Sequence, residues 1–425
     1  VNALRIAAVT VLVVALSACG DEPLTPGPNL DIGTDLVTVD SVDIAVPDAP
    51  SETQVGPDAQ TDAVVDVVGP DAVEDGGTSD VPQGDGSAGD GTTTETTQDT
   101  STPCTPVDFT PTGSPAGWKT TSTELFTVTQ GDPNQRGQDV AATAAGVQWL
   151  IGKFAYGPFD KDLEEEDVEV FVQSDAPCGD WVSQGVLETS DDGQFGTING
   201  VEDDGGRAFF ELTGDAKRGV GVHPVRMLVH GDHSVASFNL FVFEPGTQAV
   251  LFDIDGTLTT DDFELVASLF NEIFSGDYLP DLHPGALDAV NAYAAKGYQI
   301  IYLSARPEWL KPMTQNALIQ QGFPPGLVHL AETNTESLTD TANYKATFLG
   351  HLLNTVGLDI VAMYGNADTD VEAYEMAGMP KSETFIIGEN AGMAGTTALA
   401  DYPSHQSYID GLPDASTSPP EPIQW

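Results

Sequence analysis

The chain has 425 residues, room for two or three domains. Its 66 acidic and 14 basic residues give a formal charge of −52 at pH 7. That argues against nucleic-acid binding and against polybasic docking on anionic lipid, since both need clustered Lys and Arg. Three cysteines are too few for a disulfide scaffold. After the N-terminus no apolar run is long enough to span a bilayer.

The first segment reads as a signal peptide. Arg5 precedes an apolar stretch from Ile6 to Leu16, followed by Leu16-Ser17-Ala18-Cys19. A Cys directly after Leu-Ser-Ala resembles the bacterial lipoprotein box, in which the Cys thiol is acylated. The expected location is therefore that of an exported, membrane-anchored lipoprotein, on the periplasmic face or the surface of a bacterium.

Residues 20–103 carry 19 acidic residues and no Lys or Arg. Val-Gly-Pro-Asp-Ala occurs at 55–59 and again at 68–72, and the end is rich in Gly, Ser and Thr. Such a segment buries too little apolar surface to offset its ordering entropy and reads as a disordered acidic linker. As a flexible coil it would span on the order of 50 Å. No EF-hand spacing supports calcium binding.

Residues 104–246 read as an antiparallel, Ig-like β-sandwich. Val168, Val170 and Val172 alternate with Glu169 and Phe171, and Phe238, Leu240 and Val242 alternate with Asn239, Phe241 and Phe243. Gly157-Pro158, Asp191-Asp192-Gly193 and Gly231-Asp232 separate the runs. Cys104 and Cys178 pair as a disulfide in an oxidising compartment, or stay as two buried thiols. His223, His230 and His233 are close in sequence, more in the manner of surface or structural histidines than of a metal site.

From residue 247 to 412 the pattern changes to α/β. Ala249–Phe252, Ile300–Leu303, Ile360–Tyr364 and Phe385–Ile387 are short apolar strand runs, each ending in a polar motif. Ala286, Leu287, Val290, Tyr293 and Ala294 form one helix face, stopped by Gly297. Phe348, Leu349, Leu352, Leu353 and Val356 form another. Strands alternating with helices predict a parallel, doubly wound sheet, with the site beyond the carboxyl ends of its strands. Residues 413–425 read as a disordered tail.

The polar motifs suit phosphoryl transfer. Asp253 can attack phosphorus as a carboxylate nucleophile. Asp255 can protonate the leaving oxygen and then activate water. Gly256 lets the backbone turn near the phosphate, and Ser304 and Thr257 can donate hydrogen bonds. Lys345 supplies positive charge. Asp253, the backbone carbonyl of Asp255, Asn366 and Asp370 form an oxygen-only set suited to Mg²⁺. Arg306, beside Ala305, is one of only five basic residues in this region. Asp368 is an extra carboxylate without an assigned role.

Taken together, the motifs resemble those of haloacid dehalogenase-type phosphatases. Asp253-x-Asp255-Gly256-Thr257 is similar to the first motif, Ser304 to the second, Lys345 to the third, and Gly365-Asn366-x-x-x-Asp370 to the fourth. Phe252–Thr259 and Tyr302-Leu303-Ser304-Ala305-Arg306 look like the lipin (Lipin/Ned/Smp) domain, whose members are Mg²⁺-dependent phosphatidate phosphatases. The resemblance implies Gly256, Thr257, Ala305 and Arg306 as substrate-binding positions. Upstream, Gly152–Asp160 and Gly221–His233 are similar to retinal-degeneration-B type membrane-associated phosphatidylinositol transfer proteins. In those animal proteins this region binds phosphatidate and the nucleophile position is not Asp. Here it is Asp253.

The spacing also predicts a capless site. Asp253 to Ser304 is 304 − 253 = 51 positions and Ser304 to Lys345 is 345 − 304 = 41. Core elements fill most of both gaps, so neither holds a folded cap of about 50 residues. Three functions fit: a membrane-tethered Mg²⁺-dependent phosphatidate phosphatase, a non-catalytic phosphatidate-binding module, and an exported phosphatase for soluble phosphate esters.

Overall fold

Period-two alternation gives each strand of the first half one apolar row, and two such sheets bury those rows against each other. A computed structural model of the chain describes residues 106–174, 177–260, 279–332, 339–417 and 419–420. The signal segment, Cys19, the acidic linker and Cys104 lie outside them. The strands in this half are β1 (Arg136–Gly137), β2 (Val140–Thr143), β3 (Trp149–Lys153), β4 (Ala155–Tyr156), β5 (Lys161–Asp162), β6 (Asp167–Gln173), β7 (Trp181–Glu188), β8 (Arg207–Glu211), β9 (Gly221–Val229) and β10 (Val235–Phe243). One sheet has the order β1-β3-β8 and the other β2-β10-β9-β6-β7, while β4 and β5 form a hairpin. Val168, Val170, Val172, Phe238, Leu240 and Val242 meet Leu150 and Ala208 in one buried core.

Two details depart from the sequence reading. The sandwich is not wholly antiparallel, because β2 runs parallel to β10. Only Gln138 and Asp139 separate β1 from β2, and that crossing from one sheet to the other sets the direction of β2. In addition, β10 is apolar on both faces. Phe241 and Phe243, which alternate with the inward row, belong to the core of the second half. Cys178 is disulfide-bonded. Among the described residues the three histidines form no metal cluster: His223 contacts the Gly219 carbonyl, and His230, which lines one pocket with His233, contacts Glu169.

The second half contains β11 (Gln248–Phe252), α1 (Ala286–Ala295), β12 (Gln299–Pro307), α2 (Lys311–Gln321), β13 (Leu327–Ala331), α3 (Thr341–Gly350), β14 (Asp359–Gly365), α4 (Asp368–Met376), β15 (Thr384–Ile387), β16 (Thr397–Leu399) and α5 (Tyr402–Gly411). Its strands are all parallel, in the order β13-β12-β11-β14-β15-β16. The chain builds outward from β11 first to one side and then to the other. The order therefore reverses between β11 and β14, the point where such sheets open a crevice. α1 and α5 cover one face, α3 and α4 the other. Residues 261–278 and 333–338, within the two gaps that bear on a cap, lie outside the described residues.

Within the expected disordered tail, residues 415–417 are docked. The amide of Ala415 donates to the Lys296 carbonyl, and that of Ser416 donates to Gln248 Oε1 at 2.8 Å. Thr417 donates to the Gly246 carbonyl. These residues find partners at the amino end of the sheet, which composition alone did not reveal.

The two halves are joined by buried polar contacts at the edge strand β13. Gln138 donates to the Leu330 carbonyl at 2.8 Å and accepts from the Leu330 amide at 3.2 Å, as a paired strand would. Asp139 accepts from the Val328 amide, the Asn239 amide and Lys311 Nζ. An open strand edge is thereby covered. Asp139→Ala leaves the buried Lys311 ammonium without its carboxylate, so unfolding in urea should show a loss of about 3–5 kcal/mol. Surface carboxylates changed in the same way should cost under about 0.5 kcal/mol.

Candidate active site

Asp253 follows β11 directly, and its amide donates to the Tyr364 carbonyl of β14, so the first and fourth motifs start side by side. Its carboxylate is almost fully buried. Oδ1 accepts from Lys345 Nζ at 2.6 Å, and Oδ2 accepts from the Thr257 hydroxyl at 2.9 Å. Gly256 makes the intervening turn with φ +68°, a backbone conformation a side chain disfavours. His283 contacts the Gly256 carbonyl and Tyr402 donates to the Thr257 carbonyl, which fixes the loop from behind.

Lys345 comes from α3 and bridges two carboxylates, reaching Asp370 Oδ1 at 2.6 Å as well. Burial works against the charge of Lys345, but Asp253 and Asp370 outweigh it and hold the pKa above its ordinary value. Asp253 responds the other way. Burial pushes its pKa up to about 7, with Asp370 and Asp255 adding to the rise and Lys345 opposing it. The pocket thus holds more negative charge than its own cations balance.

Asp255 points away from this pair. Arg306 clasps it through Nε at 3.0 Å and through its terminal NH2 at 2.7 Å, and the Ser304 hydroxyl donates to it at 2.9 Å. The Arg306 amide donates back to Ser304 Oγ, and its other terminal nitrogen reaches Thr314. Ser304 and Arg306 thus have a shared partner within the chain. Both are buried, and both donate to the Asp255 carboxylate. Ala305 lies half-buried between them on β12.

Asp370 is likewise paired within the chain. One oxygen takes Lys345 and the other accepts from the amides of Asn366 and Ala367, both at 3.0 Å. It therefore shapes the loop that presents Asn366. Gly365 is required beneath it, since a Cβ there would lie 2.7 Å from Asp370 Cβ. Asp368 is exposed and accepts from the Thr369 amide at the start of α4, outside the cluster.

Among the described residues no three His, Cys, Asp or Glu side chains form a ready-made metal cluster. The oxygen donors are of mixed type instead. The Thr257 hydroxyl carries one proton and lies 2.9 Å from Asp253 Oδ2 and 3.2 Å from Asn366 Oδ1. Two acceptor oxygens gathered around one hydroxyl, in a pocket with surplus negative charge, fit a hard cation.

Several supporting residues had no local sequence signal: Thr314 beside Arg306, Tyr374 on the Tyr364 carbonyl, and Asn390 on the Asn366 carbonyl. Each contributes one polar group from a helix or loop 8 to 24 positions further along the chain.

The charge arrangement has a direct consequence for stability. Lys345→Met strands two buried carboxylates and should cost about 3–5 kcal/mol in urea unfolding at pH 8 with chelator present. Asp253→Asn leaves Lys345 paired one to one with Asp370. Its urea midpoint should equal or exceed that of the unaltered chain.

Residues 133–242 match the family model "PITM 1-3, beta-sandwich domain", and residues 250–388 match "PITM 1-3, LNS2 domain". Membrane-associated phosphatidylinositol transfer protein 3 of Mus musculus is 32% identical over 293 residues, 68% of this chain and 27% of that protein. Membrane-associated phosphatidylinositol transfer protein 1 of Homo sapiens is 35% identical over 271 residues, 64% and 19% respectively. Protein retinal degeneration B of Drosophila melanogaster is 30% identical over 303 residues, 71% and 22%. The chain thus spans about a quarter or less of the length of these relatives. Within that span it carries the β-sandwich and the LNS2 domain, a haloacid dehalogenase-like and lipin-related domain, of the PITM and retinal-degeneration-B type.

Proposed function

We propose that the chain is a Mg²⁺-dependent phosphatase that acts through Asp253 on phosphatidate presented at a membrane surface. The observation that carries this reading is the pair of carboxylates at the end of β11, held for different tasks. Asp253 is buried against Lys345 and Thr257, while Asp255 is held separately by Arg306 and Ser304. A binding module needs cationic donors for a phosphate and gains nothing from two carboxylates beside it.

In this reading an Asp253 oxygen attacks phosphorus in line with the leaving alkoxide, giving an acyl-phosphate. Lys345 offsets charge on Asp253 and Asp370 while the phosphoryl group is near. Asp255 gives its proton to the alkoxide and later takes one from the attacking water. Asp253, Asn366 and the backbone carbonyl of Asp255 would hold Mg²⁺. When bound, the ion would neutralise charge on the phosphoryl oxygens.

One feature supports a membrane-presented substrate. The similar proteins are named as membrane-associated. The surface charge does not favour anionic lipid, so an acylated Cys19 would supply the proximity and the acidic linker the reach. A second reading, phosphatidate binding without turnover, draws on the names of the relatives, which are transfer proteins.

The test is phosphate release from phosphatidate in mixed micelles, glycerol 3-phosphate and nucleotides, with Mg²⁺ or with excess chelator. Phosphatidate should be strongly preferred and activity lost in chelator. Asp253→Asn should lower turnover by about 10³-fold or more. Better turnover of the soluble esters moves the assignment to an exported phosphatase for them. Tight phosphatidate binding with no release of phosphate from any substrate supports the second reading. Cys19→Ala should shift the protein from the membrane fraction to the soluble one.

A further inference from the structure

The strap that follows Arg306 is gripped by the sandwich. Glu308 is buried, and its Oε1 lies 3.2 Å from a terminal nitrogen of Arg207 and 3.4 Å from one of Arg136. Both arginines belong to the three-stranded sheet, Arg136 on β1 and Arg207 on β8, and both are buried. Each is braced by a second carboxylate: Arg136 by Asp160 at 2.9 Å, Arg207 by Asp204 at 2.6 Å. Three residues further on, Lys311 donates to the Gly137 carbonyl and to Asp139, both at 2.8 Å. The segment Pro307–Lys311 is therefore tied to the sandwich at both ends. Thr314, which braces Arg306 from the far side, sits one turn into the helix that this strap starts.

A buried carboxylate held by two arginines of another domain is costly unless the geometry serves a purpose, since desolvating three charges opposes folding. Two residues before Glu308, the Arg306 guanidinium places two nitrogens on Asp255. A planar guanidinium fixes the plane of a carboxylate as well as its charge.

We propose that Glu308 is a positioning residue for proton transfer by Asp255. The sandwich arginines Arg136 and Arg207 anchor Glu308, and this anchors the Arg306 fork that aims Asp255. The inference rests on the phosphatase reading. In the first half-reaction the bond from Asp253 to phosphorus forms as the bond to the leaving oxygen breaks. That oxygen takes the proton of Asp255, which becomes the carboxylate that Arg306 grips. In the second, Asp255 takes a proton from water as the water oxygen bonds to phosphorus. The Asp253–phosphorus bond breaks, and phosphate leaves. The sandwich is thereby a working part of the site.

Leaving-group dependence separates this role from general damage. The alkoxide leaving from phosphatidate needs a proton, whereas p-nitrophenolate leaves without one. Glu308→Gln keeps size and shape, and each arginine retains its other carboxylate. Its kcat on phosphatidate should fall about 10–100-fold with KM nearly unchanged. The burst rate of p-nitrophenol release from p-nitrophenyl phosphate, which reports the first half-reaction alone, should fall less than about threefold. Arg207→Lys, which keeps the charge but not the fork, should give the same split and serves if Glu308→Gln does not fold. Equal losses on both substrates, or no loss on phosphatidate, overturn the positioning role while leaving the phosphatase reading intact. Absence of turnover in the unaltered chain, with Asp253→Asn indistinguishable from it, overturns both.

Discussion

One buried ammonium holds the chemistry of this chain together. Lys345 lies 2.6 Å from both Asp253 and Asp370. Without it, two carboxylates from different strand ends would face each other in a space with almost no water. The cost of burying them is the reason for their place in the fold. Asp253 ends β11, Asp370 sits in the first turn after β14, and these are the strands flanking the reversal of sheet order. A cation at that crevice must come from a helix on one face of the sheet, and α3 supplies it.

Holding α3 there is the work of both halves. Its Tyr344, Phe348 and Leu349, with Leu352 in the turn that follows, belong to one core with Leu251 and Ile301 of the parallel sheet and with Phe241 and Phe243 of the sandwich. Each buried phenylalanine contributes about 1.5–3 kcal/mol. This explains why β10 is apolar on both faces, a pattern expected of strands covered on each side. The sandwich therefore packs behind the helix that delivers Lys345 while its arginines grip the strap that carries Arg306. Its two contacts bear on the two carboxylates of the site separately, Asp253 through α3 and Asp255 through Arg306.

How much of this could be read from the sequence follows from range. The strand runs at 249–252, 300–303, 360–364 and 385–387 all lie within observed strands, because a buried parallel strand needs an unbroken apolar run and each was followed by a turn. Asp253, Asp255 and Thr257 sit in one tight loop, so their proximity was legible from spacing alone. β16 was missed, since three residues carry no periodicity. The direction of β2, the docking of 413–417 and the strand-like pairing of Gln138 with Leu330 depend on partners far along the chain. The hydrogen-bond partners of Ser304, Arg306 and Asp370 were not legible for a related reason. Residue type announced hydrogen bonding and charge, but not which neighbour would take them up first.

That last point bears on how the site can work. Nearly every strong donor near the two carboxylates is already committed: Arg306 and Ser304 to Asp255, Lys345 and the Asn366 and Ala367 amides to Asp370. Few cationic groups of the chain remain to meet an incoming dianion. Asp253 meanwhile is held by burial at a pKa of about 7 against the attraction of Lys345. A phosphoryl group entering that space adds charge of the same sign, so its approach requires positive charge the protein has not itself placed there. The mixed oxygen set around Thr257 is where such charge can bind. Under the proposed phosphatase reading, a cation entering with the phosphate would favour the ionised form of Asp253 that burial opposes. The two binding events would then be coupled through electrostatics.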